Sequence, residues 1–221
     1  VSRLLVTGLF TTAGIATAFN AVDRLQSGVE AGTTRSWALA GYWLLKTAVI
    51  AAFAYFVAVR HESRRPSRDP LAFMACAAAL GLLLVLRQPS EGSDAGLVLV
   101  GDFVALASYV WLLASVLVLG KCFGILPEAR GLVRRGPYRL VRHPVYAGEL
   151  GAVVGFVIGA PNLWNLLVLA AFFAAQSVRM RLEEQALTRE FPEYADYAAV
   201  TPRLVPVRPA LLRAPTASRT F

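Results

Sequence analysis

Two cysteines and two histidines in 221 residues leave little with which to staple a fold or hold a metal. Cys76 lies in an apolar run and Cys122 beside a basic loop. No Cys/His ligand spacing occurs, so neither a disulfide framework nor a zinc site is expected. Charge is also scarce, at 16% of residues, where a soluble domain carries roughly 25%. That deficit excludes an ordinary water-soluble globule, and 57% hydrophobic residues exclude disorder. No Gly-x-Gly-x-x-Gly turn follows a strand, which removes a soluble dinucleotide site. No repeat or low-complexity tract is present.

What remains is apolar sequence in long runs. They cover Leu4 to Phe19, Trp37 to Val59, Leu71 to Leu86, Ala95 to Gly120, Val145 to Ala160 and Leu163 to Val178. The last two are split only by Pro161-Asn162, a turn signal, and are expected to form a helical hairpin. These runs predict an all-α polytopic membrane protein of about six transmembrane helices. A charged stretch from Arg179 to about Phe191 is compatible with a helical tail, broken at Pro192.

The formal net charge of +8 fits that reading. Segment 121–143 carries Lys121, Arg130, Arg134, Arg135, Arg139 and Arg142 against Glu128 alone. Segment 60–70 is basic as well, whereas 20–36 and 87–94 are balanced. Six spans put both basic segments and both termini on one side, which the positive-inside bias makes cytoplasmic. Arg3, a modest apolar stretch and Ala16-Thr17-Ala18 also resemble a cleavable signal peptide; six spans account for the sidedness without cleavage.

Two ionisable residues fall within apolar runs. Lys46 and Asp102 both lie roughly 10–14 Å from the outer surface at 1.5 Å per helical residue, and they are expected to pair, either as a structural link or as part of a transport path. Gly151, Gly155 and Gly159 recur every four residues and predict a small-residue packing face.

Chemistry is concentrated after Arg130. The run Arg-Gly-Leu-Val-Arg-Arg-Gly-Pro-Tyr-Arg-Leu-Val-Arg-His-Pro-Val-Tyr is a basic loop entering a membrane helix. His143 stands at the N-cap position and Pro144 at the first helical position. Such a helix start favours a carboxylate or phosphate. Tyr146 and then Glu149 continue the face of His143 inward. Further on, Arg179 and Glu183 are four residues apart on one helical face. They form either a surface salt bridge or a two-signed site in which Arg179 holds a carboxylate and Glu183 an ammonium.

The order Gly-Pro-Tyr, His-Pro-x-Tyr, hairpin, Arg-x-x-x-Glu-Glu, Phe-Pro-Glu-Tyr-x-x-Tyr resembles the isoprenylcysteine carboxyl methyltransferase family, part of a wider group with membrane phospholipid N-methyltransferases. The resemblance covers roughly residues 120 to 206. It implies S-adenosylmethionine as methyl donor, held by Arg130, Gly131, Leu132, Val133, Tyr138, His143, Pro144, Val145, Tyr146 and Glu183. It also places Arg179 with the methyl acceptor. Two positions depart from the isoprenylcysteine enzymes: Arg130 stands where a histidine is usual, and Phe123 where a glutamine is.

The chain is thus expected to divide into a four-span region (1–120), a methyltransferase-like core (121–206) and a flexible tail (207–221). The expected activity is methylation of a lipidic acceptor entering from the bilayer, with Arg179 and His143 catalytic and Glu149 on the substrate side. Arg179 tilts the expectation toward an isoprenylcysteine-like carboxylate, with a phospholipid amine as the alternative. An amine would need a base, His143 or Glu149. A transporter using Lys46 and Asp102, or a non-catalytic assembly protein, is the reading from another class. No nucleic acid partner is expected.

Overall fold

The computed structural model describes residues 3–63, 69–90 and 93–206, and among them every regular element is helical. Seven α-helices follow one another: α1 (Arg3–Ala31), α2 (Thr34–Val59), α3 (Pro70–Leu84), α4 (Ala95–Leu119), α5 (Pro144–Gly159), α6 (Leu163–Glu190) and α7 (Tyr194–Val200). The all-α membrane class expected from the apolar runs stands. Among the described residues three stretches are long and apolar enough to cross a bilayer: Leu39–Val59, Ala95–Cys122 and Leu163–Glu190. α3 and α5 are shorter apolar helices. The expected tail, 207–221, and Arg64, Arg65 and Arg68 of the basic segment lie outside the described residues.

Helix ends follow local chemistry. Asp69 caps α3 by accepting from the N–H of Leu71 at 2.9 Å, with Pro70 at the first position. Asp94 caps α4 through Leu97 N at 2.8 Å, and Asn162 caps α6 through Asn165 N at 2.9 Å. α1 is longer than its apolar run. The segment 20–36, read as a connecting loop, is helical to Ala31, and Asp23, Arg24 and Glu30 lie on that helix. Hydropathy marks the apolar part of a helix only. The chain turns at Gly32, whose φ of +63° suits glycine.

α1 packs along α2, α2 along α4, α4 along α5, and α3 along α6. The expected hairpin of α5 and α6 is present, but α5 lies mainly against α4. The glycine face explains the preference. A Cβ on Gly155 would stand 2.6 Å from Ala105 N and 2.7 Å from Gly101 O, and one on Gly148 would stand 3.0 Å from Leu112 Cα. The backbones of α4 and α5 are therefore in direct contact, as a small-residue face permits. Two apolar cores result, one from Val49, Val57, Leu112, Val116 and Phe123, the other from Ala79, Val153, Val157 and Phe172.

The α5–α6 turn is tied to the end of α3 by one buried amide. Asn165 accepts from Arg87 N at 2.9 Å and donates to Arg87 O at 2.9 Å and Ala160 O at 2.8 Å. Trp164 Nε1 adds a bond to Val85 O at 2.8 Å.

The ion pair expected between Lys46 and Asp102 is not formed. The Lys46 ammonium instead lies 4.6 Å from the ring centroid of Trp43 and 5.8 Å from that of Tyr42, both on its own helix. Neighbouring aromatic faces satisfy the cation without a carboxylate.

Gly155→Ala is expected to destabilise the protein by about 1–3 kcal/mol through overpacking against backbone. Gly81→Ala, where a Cβ meets nothing within 4 Å, serves as the control and should leave stability unchanged or raised. Thermal unfolding in detergent measures both.

Candidate active site

The loop between α4 and α5 carries most of the site's polar groups. It leaves α4 through a tight turn at Gly120–Cys122, runs without regular structure to Arg135, and makes a second tight turn at Gly136–Arg139 before α5 begins at Pro144. Pro144 is buried, and its carbonyl accepts from Trp111 Nε1 at 2.9 Å. That bond fixes the start of α5 against α4.

A cavity opens where this loop meets the bundle, with about 710 Å³ of empty space including solvent at its mouth. One wall is apolar and comes from α1, α2, α3 and α4 through Phe10, Phe53, Leu80, Leu119 and, from the loop, Phe123. The other is polar. It contains seven of the residues singled out from sequence: Tyr138, His143, Val145, Tyr146, Glu149, Arg179 and Glu183.

Arg179 is the centre of that polar wall. It is only 9% exposed. Its Nη1 donates to Gln176 Oε1 at 2.7 Å and lies 3.6 Å from Glu149 Oε2. Its Nη2 donates to Ile125 O at 3.0 Å, and its guanidinium carbon lies 4.9 Å from the Tyr146 ring centroid. Nε is buried with no hydrogen-bond partner among the described residues. Gln176 also donates to Glu149 through Nε2. The surface salt bridge with Glu183 is thus not formed: the charge partner of Arg179 is Glu149 on α5. Glu183 accepts instead from the Tyr146 hydroxyl at 2.9 Å.

His143 holds the expected N-cap position, but its side chain makes no capping bond. It is 3% exposed, its Nε2 lies 3.1 Å from Glu184 Oε1, and its ring meets that of Tyr146 edge-on. Glu184 also faces Arg142 Nη2 at 3.3 Å and Arg203 Nε at 3.1 Å. The hydrogen bond from Arg203 to Glu184 holds the arginine firmly in its charged form and raises its pKa.

The segment after α7 completes the arrangement. Arg142 N donates to Pro202 O at 2.8 Å and His143 N to Arg203 O at 3.0 Å. The Tyr197 hydroxyl donates to Tyr138 O at 2.6 Å. Burial pushes the Tyr138 phenol well up, reinforced by the Glu183 carboxylate, and pushes Tyr197 up to about 12. Both phenols are neutral across physiological pH, which keeps the Tyr197 hydroxyl a donor.

Arg130, Gly131, Leu132 and Val133 lie outside the cavity lining, as does Pro144. Arg130 ties loops together: its side chain pairs with Glu128, and Nε donates to His61 O at 3.1 Å. Gly131 backs the wall, since a Cβ there would meet the sulfur of Cys122, which does line the cavity. The sequence reading missed Gln176 and Arg203 and used Glu184 only as part of a motif. An amide three residues before Arg179 inside an apolar run was the available signal for Gln176. No sequence signal joins Arg203 to Glu184, nineteen residues away.

Residues 92–194 match the family model described as phospholipid methyltransferase. The matched stretch overlaps the region whose motifs resemble that wider group of membrane methyltransferases. Two curated relatives align over 76 residues each. The nickel-cobalt-cadmium resistance protein NccN of Alcaligenes xylosoxydans xylosoxydans is 37% identical over 34% of this chain and 36% of its own length. The cobalt-zinc-cadmium resistance protein CzcN of Cupriavidus metallidurans is 40% identical over 34% of this chain and 35% of its own. The chain therefore spans about a third of the length of the curated relatives it matches.

Tyr197→Phe removes the bond to Tyr138 O and leaves a buried carbonyl short of its donor. The expected cost is about 1–3 kcal/mol, read as a lower unfolding temperature in detergent, with the cavity's charged groups untouched.

Proposed function

We propose that this protein is a membrane methyltransferase that uses S-adenosylmethionine to methylate an acceptor arriving from the bilayer. The observation that carries the reading is a coincidence of two regions. The matched stretch, 92–194, contains every charged residue of the cavity's polar wall. The remaining wall is apolar and comes from helices α1 to α4 and from Phe123 of the loop, which suits a lipid chain.

The residues fit the donor. Glu183, half satisfied by Tyr146, suits an α-ammonium through a charge-assisted bond. Arg142, in the lining and with an Nε that has no hydrogen-bond partner among the described residues, suits an α-carboxylate. The Tyr146 ring offers a cation–π face to a sulfonium. When bound, S-adenosylmethionine supplies an activated methyl group that needs no metal or redox step. What the protein adds is alignment of acceptor and donor and exclusion of water.

The acceptor reading shifts with the geometry. Arg179 alone favours a carboxylate, but Glu149 already stands 3.6 Å from it. An incoming free carboxylate would meet that like charge. An acceptor with an amine fits better: its nitrogen sits by Glu149, which takes the proton that attack releases, and an oxyanion on the same headgroup takes the unsatisfied Nε of Arg179. An aminophospholipid has both groups. The metal-resistance names of the relatives add no residues to this reading, since no cluster of three or more metal-capable side chains occurs among the described residues. The basic segment 121–143 supports a cytoplasmic site.

Calorimetry with S-adenosylhomocysteine on detergent-purified protein tests the donor site. Wild type should bind, Glu183→Gln should lose binding, and Arg179→Lys, which keeps a cation beside Glu149, should bind with turnover sharply lowered. Glu149→Gln should keep cofactor affinity and lower amine methylation by about 10²-fold or more. Turnover of a prenylcysteine carboxylate in preference to an aminophospholipid would reverse the acceptor assignment.

A further inference from the structure

Glu184 does not line the cavity, yet three basic side chains converge on its carboxylate. They come from separate parts of the chain: Arg142 and His143 from the entry to α5, and Arg203 from the segment beyond α7. The backbone pairing of residues 142–143 with 202–203 runs directly beside this convergence, through bonds of 2.8 and 3.0 Å. The side chain of Glu184 is 12% exposed and that of Arg203 is 49% exposed. The outer arm of the arrangement thus stands in water and the inner arm, His143, in the cavity wall.

A carboxylate only accepts hydrogen bonds, so Nε2 of His143 carries the proton that faces Glu184. The ring is then fixed in orientation, and Nδ1 is the nitrogen left for a ligand. Glu184 has a flexible side chain that costs entropy to hold. Arg203, bonding it through both Nε and Nη2, supplies that restraint.

We propose that Glu184 and Arg203 are positioning residues, a clasp by which the chain beyond α7 sets the tautomer and orientation of His143 in the cofactor pocket. The role rests on the methyltransferase reading for its consequence, cofactor seating, but not for its geometry. Arg203 acts through Glu184, and Glu184 through His143. Loosening the clasp therefore weakens cofactor affinity and leaves the acceptor side, built on Glu149, Gln176 and Arg179, largely as it was.

The chain holds only two histidines, His61 and His143, so ¹⁵N-histidine labelling gives two ring systems to follow by NMR in detergent micelles. Wild type and Arg203→Lys should show His143 held as the Nε2–H form. Glu184→Ala should show a tautomer mixture, and Arg203→Ala an intermediate state. In parallel, Arg203→Ala should weaken S-adenosylhomocysteine binding and raise the KM for S-adenosylmethionine about tenfold, the loss of roughly one charge-assisted hydrogen bond. The KM for the acceptor should stay within about twofold, and Arg203→Lys should restore part of the affinity, because an ammonium still reaches the carboxylate but loses the two-point bond. An unchanged His143 spectrum in Glu184→Ala, in protein that unfolds cooperatively, overturns the clasp. So does a variant that loses stability while keeping cofactor affinity. A wild type that does not bind S-adenosylhomocysteine, with His143 still responding to Glu184→Ala, sinks the methyltransferase reading and leaves the clasp standing.

Discussion

An arginine nine-tenths buried in an apolar helical bundle has to be answered by its surroundings, and Arg179 organises this site by that requirement. A lone buried charge costs several kcal/mol even after relaxation. Here the cost is offset from three directions: Glu149 on α5, Gln176 one turn back on α6, and the carbonyl of Ile125 in the loop. Each partner belongs to a different structural unit. Satisfying one guanidinium therefore fixes α5 against α6 and the loop against both. The cavity lies where these three meet, and its polarity follows from the same groups.

That constraint also explains why α5 begins where it does. For Glu149 to reach Arg179, α5 must be held at a set depth and rotation. The glycine face lets it lie in backbone contact with α4, and Trp111 pins its first carbonyl. Once α5 is so placed, His143 and Tyr146 face the cavity without further adjustment, since positions three apart share a helical face. The turn beyond α5 is fixed separately by Asn165. Precision at the site thus comes from both ends of a short helix.

The elements were largely legible from hydropathy, because spans are long apolar runs and their interruptions are few. The expected starts of α3, α4 and α6 and the break at Pro192 match the helices that form. The length of α1 was not legible, since its second half is polar and helical propensity there leaves no apolar signature. The site residues clustered as expected wherever they lay on one helix, as with His143, Tyr146 and Glu149. Pairings across helices were the part that failed. Spacing put Arg179 and Glu183 on one helical face, as a salt bridge or as a two-signed site, and left Glu149, thirty residues earlier, out as the charge partner of Arg179. Lys46 was matched with Asp102 by depth, but the rings beside it on its own helix hold the cation. Spacing along one helix states which side chains can meet; it says nothing about which competing partner from another helix wins.

The two carboxylates of the Glu183-Glu184 pair show how neighbouring residues come to serve different ends. Consecutive positions on a helix diverge by about 100°, so only one of them can face a given cavity. Glu183 turns inward to the Tyr146 hydroxyl and the pocket. Glu184 turns toward the loop and the segment after α7, where three cationic groups take it up. The doubled glutamate thereby supplies one carboxylate to the cavity and one to the contact between the loop and the segment after α7. The two sides are joined through His143 and Tyr146, whose rings meet edge-on while each bonds a different member of the pair.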